Sequence, residues 1–199
     1  MFEFIEYIGI AAFGVSGFLV AIRHKLDLLG LFISAFLTAL GGGIIRDILL
    51  DKTPYSFIYN TPAFIVLGVI IFMLIFHPYK KSNLEESSIF ILSDSLGLSS
   101  FSISGALLAM EHNLNLTGIL AVSFISAVGG GIVRDIIINE VPLIFKTGFY
   151  GTVSLLIGFA IYMLDSYKLI NLYTLIAIFI LGTLIRVIAY YKSWHLPKI

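Results

Sequence analysis

An arginine followed by an aspartate, three residues past a run of glycines, occurs twice in this chain. GGGIIRDIL covers Gly41 to Leu49 and GGGIVRDII covers Gly129 to Ile137, with seven of nine positions identical. The guanidinium is always charged and presents a fork of donors that fits carboxylates and other anions. Glycine costs about 1 kcal/mol relative to alanine inside a helix. The triplets Gly41, Gly42, Gly43 and Gly129, Gly130, Gly131 are therefore predicted to break or kink whatever helix carries them. A break would free carbonyls that can face a cation and N–H groups that can face an anion. The plainer reading of the triplets is close helix packing. Arg46 and Arg134 follow the breaks and need an acidic answer or a water-filled cavity if they sit within a membrane; the alternative is that each reaches back to the nearest interface. Asp47 and Asp135 adjoin them, but adjacent residues point to different helix faces, so these acids are expected to cap rather than pair. Glu6 and Asp94, on other segments, are the expected partners; which acid meets which arginine is not legible.

No enzyme chemistry accompanies these residues: HExxH, GxSxG and GxxxxGK[ST] are absent, and the glycine run is not GxGxxG. Zero cysteines exclude thiolate metal sites and disulfides, and a net charge of zero suggests no nucleic-acid partner. No cofactor and no resident metal are expected. Hydrophobic residues make up 59% and charged residues 12%, with a mean hydropathy of +1.03. That is too few charges to cover a soluble surface, so the partner is a lipid bilayer. The acidic start (Glu3, Glu6) lacks the basic region of a cleavable leader.

The elements that must position these residues are spans of about 20 apolar residues. Seven are read, at about 4–22, 28–50, 61–77, 88–110, 117–138, 147–164 and 172–190. They are joined by short polar loops such as DKTP (Asp51 to Pro54), HPYKKSNLEE (His77 to Glu86) and NEVP (Asn139 to Pro142). If the first loop is cytoplasmic, that side holds Arg23, Lys25, Lys80, Lys81, Lys146, Lys192 and Lys198, against Lys52 and Lys168 on the other. The bias places the N-terminus outside and the C-terminus in the cytoplasm of a multi-pass plasma-membrane protein. Arg186, in the last turn of the seventh span, is expected to snorkel. His24 and His112 are read as interfacial.

The motif's shift of 88 residues extends along the chain. Gly9 corresponds to Gly97, Phe13 to Phe101, Ser16 to Ser104, Gly17 to Gly105, Pro54 to Pro142, and Glu6 to the acidic Asp94. The fold expected is one all-α membrane domain over 1–199: repeat 1 at about 4–77, repeat 2 at about 88–164, and a seventh helix at about 172–190. Three spans per copy is odd, so the second copy crosses with reversed polarity, the inverted plan of many transporters and channels. The pairs Gly17/Ala21 and Gly105/Ala109 are read as packing faces.

A doubled Gly-Gly-Gly-x-x-Arg-Asp in a three-plus-three-plus-one layout resembles the prokaryotic branch of the trimeric intracellular cation channel family, from about Ile5 to Ile188. The resemblance implies a homotrimer with one pore per protomer, permeable to K⁺ and Na⁺. The glycine triplets would line or hinge that pore, and Arg46 and Arg134 would stand in or beside it. Animal members carry Lys-Glu-Gly-x-x-Arg and bind a phosphoinositide there; Gly41 and Gly42 stand at those places here, so that regulation is not implied. A related group sharing the repeats is linked to glycine and other small amino-acid transport. Three functions follow as expectations. The first is a passive cation channel with transient K⁺ contacts at carbonyls near the triplets, where Asp47, Asp135, Glu6 and Asp94 offset the arginines. The second is a transporter of a small zwitterion, and the third a scaffold whose glycines serve packing.

Overall fold

The computed structural model describes residues 2–76, 88–146 and 149–194, and among them every regular element is an α-helix. In chain order they are α1 (Phe2–Arg23), α2 (Leu28–Leu49), α3 (Tyr55–Ile58), α4 (Thr61–Phe76), α5 (Ser88–Glu111), α6 (Leu116–Ile137), α7 (Leu143–Lys146), α8 (Tyr150–Ser166) and α9 (Leu172–Tyr191). Five are long and apolar enough to cross a membrane: α1 from Phe4, α2, α5, α6 and α9. The apolar α4 and α8 have 16 and 17 residues. At about 1.5 Å per residue they fall short of a hydrocarbon core of about 30 Å. The expected loop His77 to Glu86, with Lys80 and Lys81, and Lys198 at the end of the chain, lie outside the described residues.

The repeat is visible in how the helices begin and end. α2 starts where the Asp27 carboxylate accepts from Gly30 N at 2.8 Å, and α6 starts where the Asn115 amide oxygen accepts from Gly118 N at 2.9 Å. Both side chains satisfy an N–H that the first turn leaves without a helical partner. Left-handed residues follow the ends of α1 and α5 (Lys25, Asn113) and of α2 and α6 (Asp51, Asn139). All three pairs are 88 residues apart.

α1 packs on α2 and α5, α2 on α6, and α5 on α6, α8 and α9. Phe13 and Phe101, equivalent in the two repeats, stack on each other at 5.5 Å between centroids. Serines hold the buried face of α5: Ser100 donates to Ile5 O of α1 at 2.8 Å, and Ser123 of α6 donates to Ser102 O at 2.9 Å. Lipid offers no hydrophobic drive between helices, so such bonds and small-residue contacts carry the association. The expected packing faces are internal. A Cβ on Gly17 would lie 2.6 Å from Ser34 O of α2, and one on Gly105 would lie 2.8 Å from Val122 O of α6.

Candidate functional site

The glycine triplets do not interrupt their helices. α2 is continuous from Leu28 to Leu49 and α6 from Leu116 to Ile137, so the expected breaks, with the carbonyls and N–H groups they would free, are absent. Contact explains the glycines instead. A Cβ on Gly42 would lie 2.1 Å from Ser126 O, and one on Gly130 would lie 2.3 Å from Thr38 O. Gly41 faces Gly130 Cα and Gly129 faces Gly42 Cα. The two backbones cross so closely that no side chain fits between them. Gly43 and Gly131 have more room: a Cβ on Gly43 would meet Phe101 at 3.4 Å, and one on Gly131 would meet Arg134 at 3.8 Å.

On one side of the crossing lies Arg46, 1% exposed. Its Nη2 donates to Glu6 Oε1 of α1 at 2.9 Å, its Nη1 to Ser104 Oγ of α5 at 2.9 Å, and its Nε to Asp47 Oδ1 at 2.8 Å. On the other side lies Arg134, 2% exposed. Its Nε donates to Asp135 Oδ1 at 2.8 Å and its Nη1 to Ser16 Oγ of α1 at 3.0 Å. Burial this deep rules out snorkelling for both. The aspartates correct the expectation from helix faces, because a long arginine folds back until its Nε meets the adjacent carboxylate. The acids cap as well, though not a half-helix. Asp47 Oδ2 accepts from Tyr55 N at 2.9 Å and Asp135 Oδ2 from Leu143 N at 2.8 Å, fixing the first residues of α3 and α7. Arg46 meets Ser104 while Arg134 meets Ser16, so each arginine finds the serine of the other repeat.

The acids Glu6 and Asp94 part company. Glu6 bonds Arg46 directly. Asp94 is 2% exposed and receives its bond from Ser16 Oγ, 3.3 Å from Oδ1; its Oδ2 has no hydrogen-bond partner. Tyr150 of α8, Arg134 and Arg186 surround it within electrostatic range. Arg186 of α9 does not snorkel: it is 3% exposed, and its guanidinium lies over the Tyr150 ring at 4.7 Å and the Tyr190 ring at 5.7 Å. α9 thus adds a charge to the second cluster.

Each cluster floors a cavity. The first, about 320 Å³, is lined by Glu6, Arg46, Asp47, Lys52, Tyr55, Tyr59 and Glu111 among others. The second, about 170 Å³, is lined by Arg23, His24, Arg134, Asp135, Glu140, Lys146 and Tyr190 among others. α1 opens in the first cavity and closes in the second, and α5 runs from Phe90 in the second to Glu111 in the first. Equivalent rim positions carry opposite charge: Lys52 corresponds to Glu140, and Glu111 to Arg23. Glu140 receives a hydrogen bond from Lys146, and that bond and charge hold its carboxyl below the usual glutamate range. His24 stands 3.7 Å from Glu140, so it joins this rim. Ser16, Ser104, Arg186 and the rim charges were named from sequence only as a repeat pair, an anchor and loop charges, not as members of a site. The serines had a signal, an identical polar residue at the same place inside both apolar copies. Arg186 had none, since the repeats do not include it.

The comparisons agree with this geometry. The family model described as Glycine transporter matches twice, over residues 3–78 and 91–166, so the two matches are offset by 88 residues at both ends. A UPF0126 membrane protein, YvgT of Bacillus subtilis (strain 168), is 32% identical across 98% of this chain and 95% of its own length. A structure solved for conductance through TRIC cation channels has 35% identity, covers 100% of this chain and 97% of its own, and superposes with a TM-score of 0.85. The TRIC trimeric intracellular cation channel orthologue from Rhodobacter sphaeroides has 29% identity, covers 97% and 98%, and has a TM-score of 0.87. By the doubled family match and these full-length relatives, the chain is a multi-pass membrane protein that belongs to the glycine transporter family, as its model is described, and to the prokaryotic branch of the trimeric intracellular cation channel family.

Proposed function

We propose that the protein is a passive monovalent cation channel, carrying K⁺ and also Na⁺, with one pore in each protomer of a homotrimer. The observation that carries this reading is the pair of cavities at opposite ends of α1 and α5, each ending on a buried arginine–carboxylate cluster, with the crossing at Gly42 and Gly130 between them. The whole chain forms one membrane domain in which α1, α2, α4, α5, α6, α8 and α9 are the seven spans. The exchange of contacts between the 88-related residues and the opposed directions of α1 and α5 support an inverted repeat. The N-terminus is placed outside and the C-terminus in the cytoplasm of the plasma membrane. The pathway follows the two cavities and is closed at the triplets, so Gly41 to Gly43 and Gly129 to Gly131 act as the hinge that parts on opening. Arg46, Arg134, Asp47, Asp135, Glu6 and Asp94 form its fixed charges. A cation shedding water in the first cavity meets oxygens of Glu6 and Asp47 and the Glu111 carboxylate at its rim. The solved relatives named as cation channels, one of them as trimeric, support the same reading.

The description of the family model favours a second reading, transport of glycine or a similar zwitterion. Unbroken α2 and α6 weaken it, because the half-helix N-terminus that would hold the substrate carboxylate is missing. Planar-bilayer recording from purified protein tests both. Unitary K⁺ currents are expected; saturable glycine uptake without them would replace the channel with the transporter. Cross-linking in detergent is expected to trap a trimer.

A further inference from the structure

The last helix has no counterpart in repeat 1, and it is built to deliver one residue. Its buried stripe is Leu175, Gly182, Thr183, Arg186 and Ala189, which is helical spacing with small residues framing a charge. Gly182 lets α9 approach Ser99 and Ile157, where a Cβ would lie 3.1 Å and 2.6 Å away. Thr183 Oγ1 bonds Ser99 Oγ at 3.2 Å. One turn further on, Arg186 lies over Tyr150 and Tyr190. Tyr190 lines the second cavity, and Tyr150 lines the narrow space beside Gly131, Arg134 and Asp135.

Among the described residues, two buried polar atoms here have no partner at full hydrogen-bond geometry, Asp94 Oδ2 and Arg186 Nε, though the Tyr150 hydroxyl stands close enough to act on the Asp94 carboxyl. They belong to opposite charges within electrostatic range of each other. A buried carboxylate facing no cation is expensive, and a buried guanidinium facing no anion equally so. Asp94 is answered through space by Arg134 first and Arg186 second, with the Tyr150 hydroxyl beside it, in a site where Arg134 is hydrogen-bonded to Asp135 and Ser16. Among the described residues, two carboxylates, Glu6 and Asp47, meet the Arg46 guanidinium at the first cluster; at the second, Asp135 meets Arg134, and Asp94 lies within electrostatic range of both Arg134 and Arg186. A cation crossing the molecule thus meets an excess of negative charge at one end and none at the other.

We propose that Arg186 is a specificity-determining residue of the pathway, the added charge that offsets Asp94 and so makes the second cluster less favourable for cations than the first. This rests on the channel reading. A unit charge about 10 Å from an ion, acting through water, changes ion occupancy about twofold. Arg186→Gln is therefore expected to raise unitary K⁺ conductance about twofold, and to shift the reversal potential in a KCl gradient toward that of K⁺. Arg186→Lys should stay near wild type. Asp94→Asn should act in the opposite direction, lowering conductance about twofold, and it carries the test alone if Arg186→Gln does not yield folded protein. A wild-type protein without unitary currents would remove the channel reading itself. A conducting wild type with unchanged conductance and reversal potential in the folded variants would overturn this proposal and leave the channel standing.

Discussion

Arg46 and Arg134 occupy equivalent places in the two repeats, and each bonds the aspartate that follows it and a serine of the other repeat. They differ in their second acid. Glu6 reaches Arg46 at 2.9 Å, whereas Asp94, one methylene shorter, meets Ser16, which in turn accepts from Arg134. The shorter acid does not bond its arginine directly, and Arg134, Arg186 and Tyr150 act on it within electrostatic range. One methylene separates a closed ion pair from a relay with room for a further charge.

The largest effects are expected where the two regions are alike. Gly42→Ala and Gly130→Ala each press a methyl onto a backbone carbonyl of the facing helix, and backbone cannot move aside as a side-chain tip can. Each should cost about 3 kcal/mol or more, at the upper end of overpacking. Melting temperature in detergent should fall by similar amounts for both. Gly68→Ala, inside α4 with nothing within 4 Å, serves as the clash-free control and should not destabilise. A large fall in one and none in the other would break the equivalence of the two sides.

The next effect separates them. Glu6→Gln removes a carboxylate bonded directly to a buried guanidinium, a change worth about 3 kcal/mol, reduced here because Asp47 remains. Asp94→Asn removes a charge that its own arginine does not touch, and should cost less. Equal losses in thermal melts would mean that the methylene does not matter. Asp94→Glu sharpens the point. A glutamate there should bond Arg134 directly, and a double-mutant cycle should report stronger coupling between positions 94 and 134 than wild type has.

The smallest effect runs the other way. Ser16 links Arg134 to Asp94, while Ser104 receives Arg46 and makes only a long 3.4 Å bond to Phe101 O. Ser16→Ala should therefore cost about 1 kcal/mol more than Ser104→Ala, since it leaves two buried polar groups without their bonds. Chemical denaturation of the pair checks the order, and the reverse order would point to Ser104 as the more important bridge.

Much of this was legible in sequence because it is periodic. Apolar length placed the helices within a few residues, and the 88-residue shift marked the arginines, glycines and both acids as pairs. What escaped has two physical causes. Propensity reads a glycine triplet as a weak point, yet a glycine that another helix presses against is held by that contact, and α2 and α6 stay intact. Spacing places Arg46 and Asp47 on different faces, yet a long side chain can fold back at low cost. Arg186 was read as an anchor because the groups around it, Tyr150 and Asp94, precede it by 36 and 92 positions, and no repeat links them to it.

The first repeat carries its own counter-charges: Glu6, Arg46 and Asp47 are all synthesised within the first quarter of the chain. A nascent chain that has inserted α1 and α2 can close that ion pair before α5 exists. The second repeat has no such independence. Arg134 completes its bonds on Ser16, 118 positions earlier, and Asp94 takes its hydrogen bond from the same serine. The ribosome therefore releases first a half-molecule whose buried guanidinium already has two carboxylates, followed by one whose arginine completes its hydrogen bonds only against the first.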